Sequence, residues 1–442
     1  MSIEQYREKL RSLSDRLISL QRPIRILDSV KWPQDIENRF LDDFHRHHGT
    51  VLPEVTPQHY ENNKLQFDSQ QLQADLSQLQ RDIQRQLGKR DELGNILHAS
   101  AQQYQVVAEM LENRGQPTFA TCSKQLYGSA YDHLRGDRRS LTELGKQLCQ
   151  IFSLPAAKRL GHDYPAVHSA TDAIDRLNTA LTGYFGAGVV RVIQSDGIVS
   201  DAAAGSDYIK LNTRRRFSDL DLRVYEVHEG WVHVGTSLNG QAQPWATWLA
   251  IGSPRITANQ EGLAVLMEIL SFASFPDRAR KISDRVQAVA MAEDGANFFE
   301  IFTHFLGSGL SEEAAWQITQ RVFRGGDPAG GSYFTKDISY VRGFIENVNF
   351  IKSAILSDVP QLIPLMFAGK VTLDDIPVLY QHVEEGTVLP PRFLPPMFAD
   401  INGLYVWFGF SSSLSQIDLG RVKRHFEKAF TPLKTRVSVP SA

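Results

Sequence analysis

Val224-Tyr225-Glu226-Val227-His228-Glu229-Gly230-Trp231-Val232-His233 places two histidines and a carboxylate in one stretch of predicted helix. Ser218 is positioned to cap that helix, with Asp221 at its third position. Leu220, Val224, Val227 and Trp231 recur four, three and four residues apart, a stripe that should face inward and leave His228, Glu229 and His233 on its flank. Neutral imidazoles are good zinc ligands. A glutamate beside the first can take a proton from a water that zinc has acidified to a pKa of about 7. The spacing is H-E-x-x-x-H, one residue longer than the usual metallopeptidase helix. At about 100° per residue, histidines five apart diverge by roughly 140° around an ideal α-helix, too far to share one ion. A π-bulge, with its i→i+5 hydrogen bond, returns them to one face. The spacing therefore predicts a widened turn between His228 and His233, with Gly230 relieving the backbone.

A further carboxylate lies 28 residues beyond His233. Thr257-Ala258-Asn259-Gln260 reads as a capping box, and Leu263, Leu266, Met267 and Leu270 continue the helical pattern. Glu261 then falls in the first turn. There it is either an acid favoured by the helix dipole or a third metal ligand from a separate helix, with a fourth position left for water or substrate.

Outward from these two helices the chain reads as an ordinary globular protein: 442 residues, 42% hydrophobic and 22% charged. Its 47 basic and 50 acidic residues give a net charge of −3, with no excess for general nucleic-acid or membrane binding, so any such contact must be local. Two cysteines, Cys122 and Cys149, are too few for a disulfide framework, and Met1 to Leu20 lacks the apolar run of a secretory signal. A cytoplasmic location is expected.

Helical patterning runs from Ser2 to about Leu160, clearest at Leu72, Leu76, Leu79, Ile83 and Leu87 behind the capping pair Asp68 and Ser69. Val189 to Ile193 and Tyr208 to Leu211, flanking Ser195-Asp196-Gly197 and a small-residue stretch, read as two strands. Tyr405 to Phe410 reads as a strand or buried turn. The expected architecture is α+β, predominantly helical: a mainly helical N-terminal region over 1–160, a catalytic domain with a small sheet over 161–432, and a flexible tail over 433–442.

At Asn259-Gln260-Glu261-Gly262-Leu263-Ala264 the chain resembles the flavohemoglobin expression-modulating QEGLA-motif proteins, of the same domain family as the microtubule-associated tyrosine carboxypeptidases. Phe217-Ser218, Arg321-Val322-Phe323-Arg324-Gly325-Gly326 and Phe334-Thr335-Lys336-Asp337 with Tyr340 extend the resemblance. It implies a zinc-peptidase-like catalytic domain of the glutamate-ligand type, with His228, His233 and Glu261 holding Zn2+ and Glu229 as general base. Tubulin is not implied as the substrate, because Gly230-Trp231-Val232 differ from the residues of the tubulin-directed members.

A carboxypeptidase must hold a terminal carboxylate. Arg324, ahead of two glycines that would let backbone approach a ligand, is the first candidate, and Lys336 the second. Tyr333 or Tyr340 could face a developing oxyanion. Arg214-Arg215-Arg216 is read as a solvated cluster, His304 as a core histidine, and His45, His47 and His48 as a polar loop. Residues Tyr208 to Asn212 would present a free sheet edge to an extended substrate. The partner expected is a protein or peptide C-terminus, possibly aromatic, with no nucleic acid and no membrane. The rival reading is a non-catalytic regulator with a structural metal.

Overall fold

The computed structural model describes residues 1–437 apart from 34, 48, 161–163, 197, 199 and 416. His48, Gly197 and the tail beyond residue 437 therefore lie outside the described residues. The architecture is helical with one small sheet, as the patterning predicts. Helix Ser69–Gln86 is capped by Asp68, whose side chain accepts from the Gln71 amide, and it buries Leu72, Leu76, Leu79 and Ile83 against helix Glu92–Glu112. Two hydrophobic clusters hold the chain together, one around Leu76, Val227, Leu263 and Phe367, the other an aromatic group around Phe40, Phe298, Phe302 and Trp316. Both draw on residues before and after position 160. Among the described residues no helix is long and apolar enough to cross a membrane.

The sheet has three strands: β1 (Arg191–Ser195), β2 (Ala202–Ala204) and β3 (Tyr208–Asn212), in the order β1-β3-β2. β1 runs parallel to β3, and β2 antiparallel to it. This corrects the expected edge. Tyr208–Asn212 is the central strand, paired on both sides, and the edge beside the histidine helix belongs to β2. Three alanines, poor strand formers, concealed it in the sequence.

Two further expectations fail. Tyr405–Phe410 lies within helix Asn402–Leu414, where Leu404 and Phe408 face inward while Trp407 and Phe410 are exposed. His304 is exposed rather than a core residue, although Phe302 and Phe305 beside it are buried.

One crossing positions everything that follows. Helices Thr257–Leu270 and Ser339–Leu356 touch through Gly262 and Gly343. A Cβ on Gly262 would fall 1.9 Å from the Gly343 carbonyl carbon, and one on Gly343 would fall 1.6 Å from the Ala258 oxygen. The obstacles are backbone atoms, which cannot swing aside. Asn347 spans the same contact, donating to the Asn259 and Gly343 carbonyls. Gly262→Ala should therefore destabilise the fold by about 2 kcal/mol or more, in the manner of an overpacked core. Urea unfolding checks this; an unchanged midpoint would mean that the helices separate freely.

Candidate metal centre

The helix capped by Ser218 begins as predicted: Ser218 accepts from the Asp221 amide, and Asp221 accepts in return from the Ser218 amide. It runs as α-helix over Asp219–Tyr225 and then widens into a π-helix over Glu226–Val234. The Gly235 amide reaches back five residues to the Gly230 carbonyl. Of the predicted inward stripe, Val224, Val227 and Trp231 are buried, with Trp231 stacked on Tyr184, while Leu220 is only half-buried. Gly230 serves packing more than backbone relief. It has no positive φ, and a Cβ there would meet the Leu181 side chain at 2.5 Å.

The widened turn leaves carbonyls to satisfy at its end. Thr236 donates to Val232, and Ser237 and Lys370 donate to His233. Lys370 also reaches Thr236 Oγ1 and Gln260 Oε1, and burial pushes its ammonium down to about 7.

With the turn widened, the His228 and His233 rings lie 4.9 Å apart, nearly perpendicular. Each Nε2 stands 3.7 Å from the same oxygen, Glu261 Oε2. Ligand atoms from all three residues lie within 4.8 Å of one another, a grouping able to hold a metal ion. Glu261 reaches this position differently from expectation. No side chain caps its helix, because a 3-10 turn, Pro254–Ile256, leads directly into Thr257, and Glu261 stands in the second turn. It points into the site rather than stabilising a helix end.

The remaining candidates divide. Glu229 sits beside the group on the sheet side, its Oε2 accepting from the Ala204 amide of β2 at 2.9 Å. Lys336 is drawn in, its ammonium 2.7 Å from Glu261 Oε1. Arg324 makes no ion pair or hydrogen bond to the three. It caps helix Glu312–Phe323, only 7% exposed, with its guanidinium over the Phe334 ring and its Nε without a hydrogen-bond partner among the described residues. Burial, then Arg321, hold it down at about 10. Its two glycines do not approach a ligand. Gly325 packs on Phe119 and Val30 at φ 82°, and Gly326 on the Ser332 carbonyl. Tyr340 lies 6.5 Å from His228, ring to ring, while Tyr333 lies under Lys124. The arginine run is pinned rather than solvated, Arg215 to Asp201 and Glu313, and Arg216 to the Ala166 and Val167 carbonyls.

The charges around the site come from segments that nothing in the local sequence connects. Arg321 pairs with buried Asp337, and Arg285, over the Tyr340 ring at 4.4 Å, comes only within 3.8 Å of the same carboxylate. Among the described residues, Arg285, Arg321 and Lys336 pair with two carboxylates, Asp337 and Glu261, and Arg324 pairs with neither. Behind His228, Glu268 is fully buried against Arg278. Glu268 follows Glu261 by seven residues, which puts both on one helix face, a signal available in the sequence.

Residues 42–416 match the family model described as microtubule-associated tyrosine carboxypeptidase. The chain belongs to this family. The match covers most of the chain and supports a peptidase of the carboxypeptidase kind. No curated protein matches.

In this member of the family, burial would raise the Glu261 carboxyl, but Lys336, His228 and His233 outweigh it and hold it well below the usual carboxylate range. Burial would likewise lower His228, yet its bonds to Glu261 and Glu268 push it up to about 10. Below that pH the metal-free ring carries a proton that a bound ion must displace. The affinity of this grouping for any divalent ion it takes should therefore rise with pH toward about 10, and uptake at neutral pH should release about one proton from this ring. Calorimetry in two buffers of different ionisation heat measures it; uptake with no proton release would contradict the assignment.

Proposed function

We propose that the chain is a zinc-dependent carboxypeptidase that removes the C-terminal residue of a protein or peptide. The reading is carried by one observation: His228 and His233 from a π-helix and Glu261 from its neighbour converge, with Glu229 beside them. The donor set suits zinc, two imidazoles and a carboxylate, with no fourth protein ligand among the described residues. Bound there, zinc would polarise the scissile carbonyl and acidify water.

The chain's own residues would do the rest. Glu229, oriented by the Ala204 amide, takes the proton of the attacking water and returns it to the departing amine. Tyr340, whose ring packs against His228, is proposed as the donor to the oxyanion. The surplus cations give a C-terminal carboxylate its counter-charge. Among the described residues Arg324 has no ion pair and Arg285 is only loosely paired, so these two are proposed to hold it. Lys336, already tied to Glu261, holds the ligand in place. The β2 edge, not β3, would take the substrate backbone. An aromatic terminal residue and a cytoplasmic location belong to the same proposal.

Glu229→Gln should abolish hydrolysis of a C-terminal peptide library while zinc remains bound, as metal analysis of the purified variant would show. Retained turnover would remove Glu229 from the mechanism. Arg324→Ala should raise KM for free C-termini by about tenfold or more, the loss of roughly 1.4 kcal/mol or more from a charge-assisted contact. Equal KM values for both enzymes would place the carboxylate elsewhere.

A further inference from the structure

We infer that Glu268, clamped by Arg278, is the positioning residue that aims His228 at the metal. This rests on the proposed zinc site and adds to it a residue that neither the motif spacing nor the family match assigns. His228 Nδ1 lies 2.6 Å from Glu268 Oε1. An ionised carboxylate accepts only, so Nδ1 carries the proton in this bond and donates it, and Nε2 is the nitrogen left to offer a lone pair. Nε2 is the atom that faces Glu261. The ring is thereby fixed both in tautomer and in direction.

Glu268 itself cannot drift. It is 0% exposed, and Arg278 grips both its oxygens, with Nη2 at 2.7 Å from Oε1 and Nε at 2.8 Å from Oε2. Arg278 comes from the following helix, Pro276–Glu293, so three helices meet at one imidazole. A buried ion pair kept for stability alone is a poor bargain, since well-packed apolar residues usually do as well. Here the pair directs a short bond at an imidazole, the arrangement that raises ligand basicity and orients the ring. The second histidine is held more loosely. His233 Nδ1 has Gln260 Oε1 at 3.5 Å, and that oxygen already accepts from Thr236 and Lys370. Helix Thr257–Leu270 thus carries a proposed ligand, Glu261, and seven residues on, the anchor of another.

Zinc affinity of the full-length protein, measured by competition with a chromophoric chelator, tests this. Glu268→Gln should weaken zinc binding by about 10- to 100-fold. Because that variant leaves Arg278 buried without its partner, the double variant Glu268→Gln with Arg278→Gln is measured beside it. It should show the same loss and an altered absorption spectrum of the cobalt-substituted protein, whatever its thermal midpoint without metal. A folded double variant with wild-type zinc affinity and an unchanged cobalt spectrum would reduce Glu268 to a core ion pair and overturn the inference alone. Wild-type protein that binds no zinc would overturn the proposed function and this inference together.

Discussion

Two imidazoles five residues apart cannot meet on an α-helix, and the local architecture is arranged around the wider turn that lets them. A π-helix gives up regular hydrogen-bond geometry, which is why such turns are rare and gather at functional sites. Here the loss is offset on every side. Val227, Val232 and Val234 are fully buried, Trp231 lies on Tyr184, and Leu181 closes over Gly230. Two hydroxyls and the Lys370 ammonium take up the carbonyls at the end of the turn. Irregular backbone inside a core survives only when its polar groups are satisfied in this way.

The charges around the site form a second layer of constraint. A net charge of −3 over 442 residues conceals arginines drawn largely out of solvent around Asp337 and Tyr340, and a carboxylate, Glu229, bonded to β2. Asp337, held well below the usual carboxylate range by Arg321 and Arg285 against the opposing effect of burial, anchors the arginines. Glu268, lowered to about 2 by Arg278 and His228 despite burial, anchors the imidazole side. Cation and anion partners from different helices tie together segments that are far apart in the chain.

Much of this was legible in the sequence because it is local. The Ser218 cap, the apolar stripe and the five-residue histidine spacing each depend on neighbours within a turn or two, and together they require the widened turn. What could not be read depends on distant packing. Ala202–Ala204 has no strand signature and becomes a strand only by pairing with β3. Thr257 has the composition of a cap, but the 3-10 turn before it removes the need. The aromatic run at Tyr405 has the content of a strand, yet its buried residues, Leu404 and Phe408, are four apart, the helical interval. Arg324 reads from the sequence either as a carboxylate-binding residue or as a surface arginine at a helix end, and its burial could not be read because nothing in its neighbourhood of sequence reports the arginines that surround it.

The contact between Gly262 and Gly343 makes the Glu261 side of the candidate site rigid in its main chain. With backbone pressed on backbone, the helix that carries Glu261 has no slack in which to slide, so the depth of its carboxylate is fixed by the main chain rather than by side-chain packing. The histidine helix is tied to that rigid helix through His228 and Glu268, and on its other face rests on side chains such as Leu181. On the sheet side the histidine helix is joined to β2 through the bond from the Ala204 amide to Glu229, so a shift of that small sheet would be felt first at Glu229 and not at Glu261.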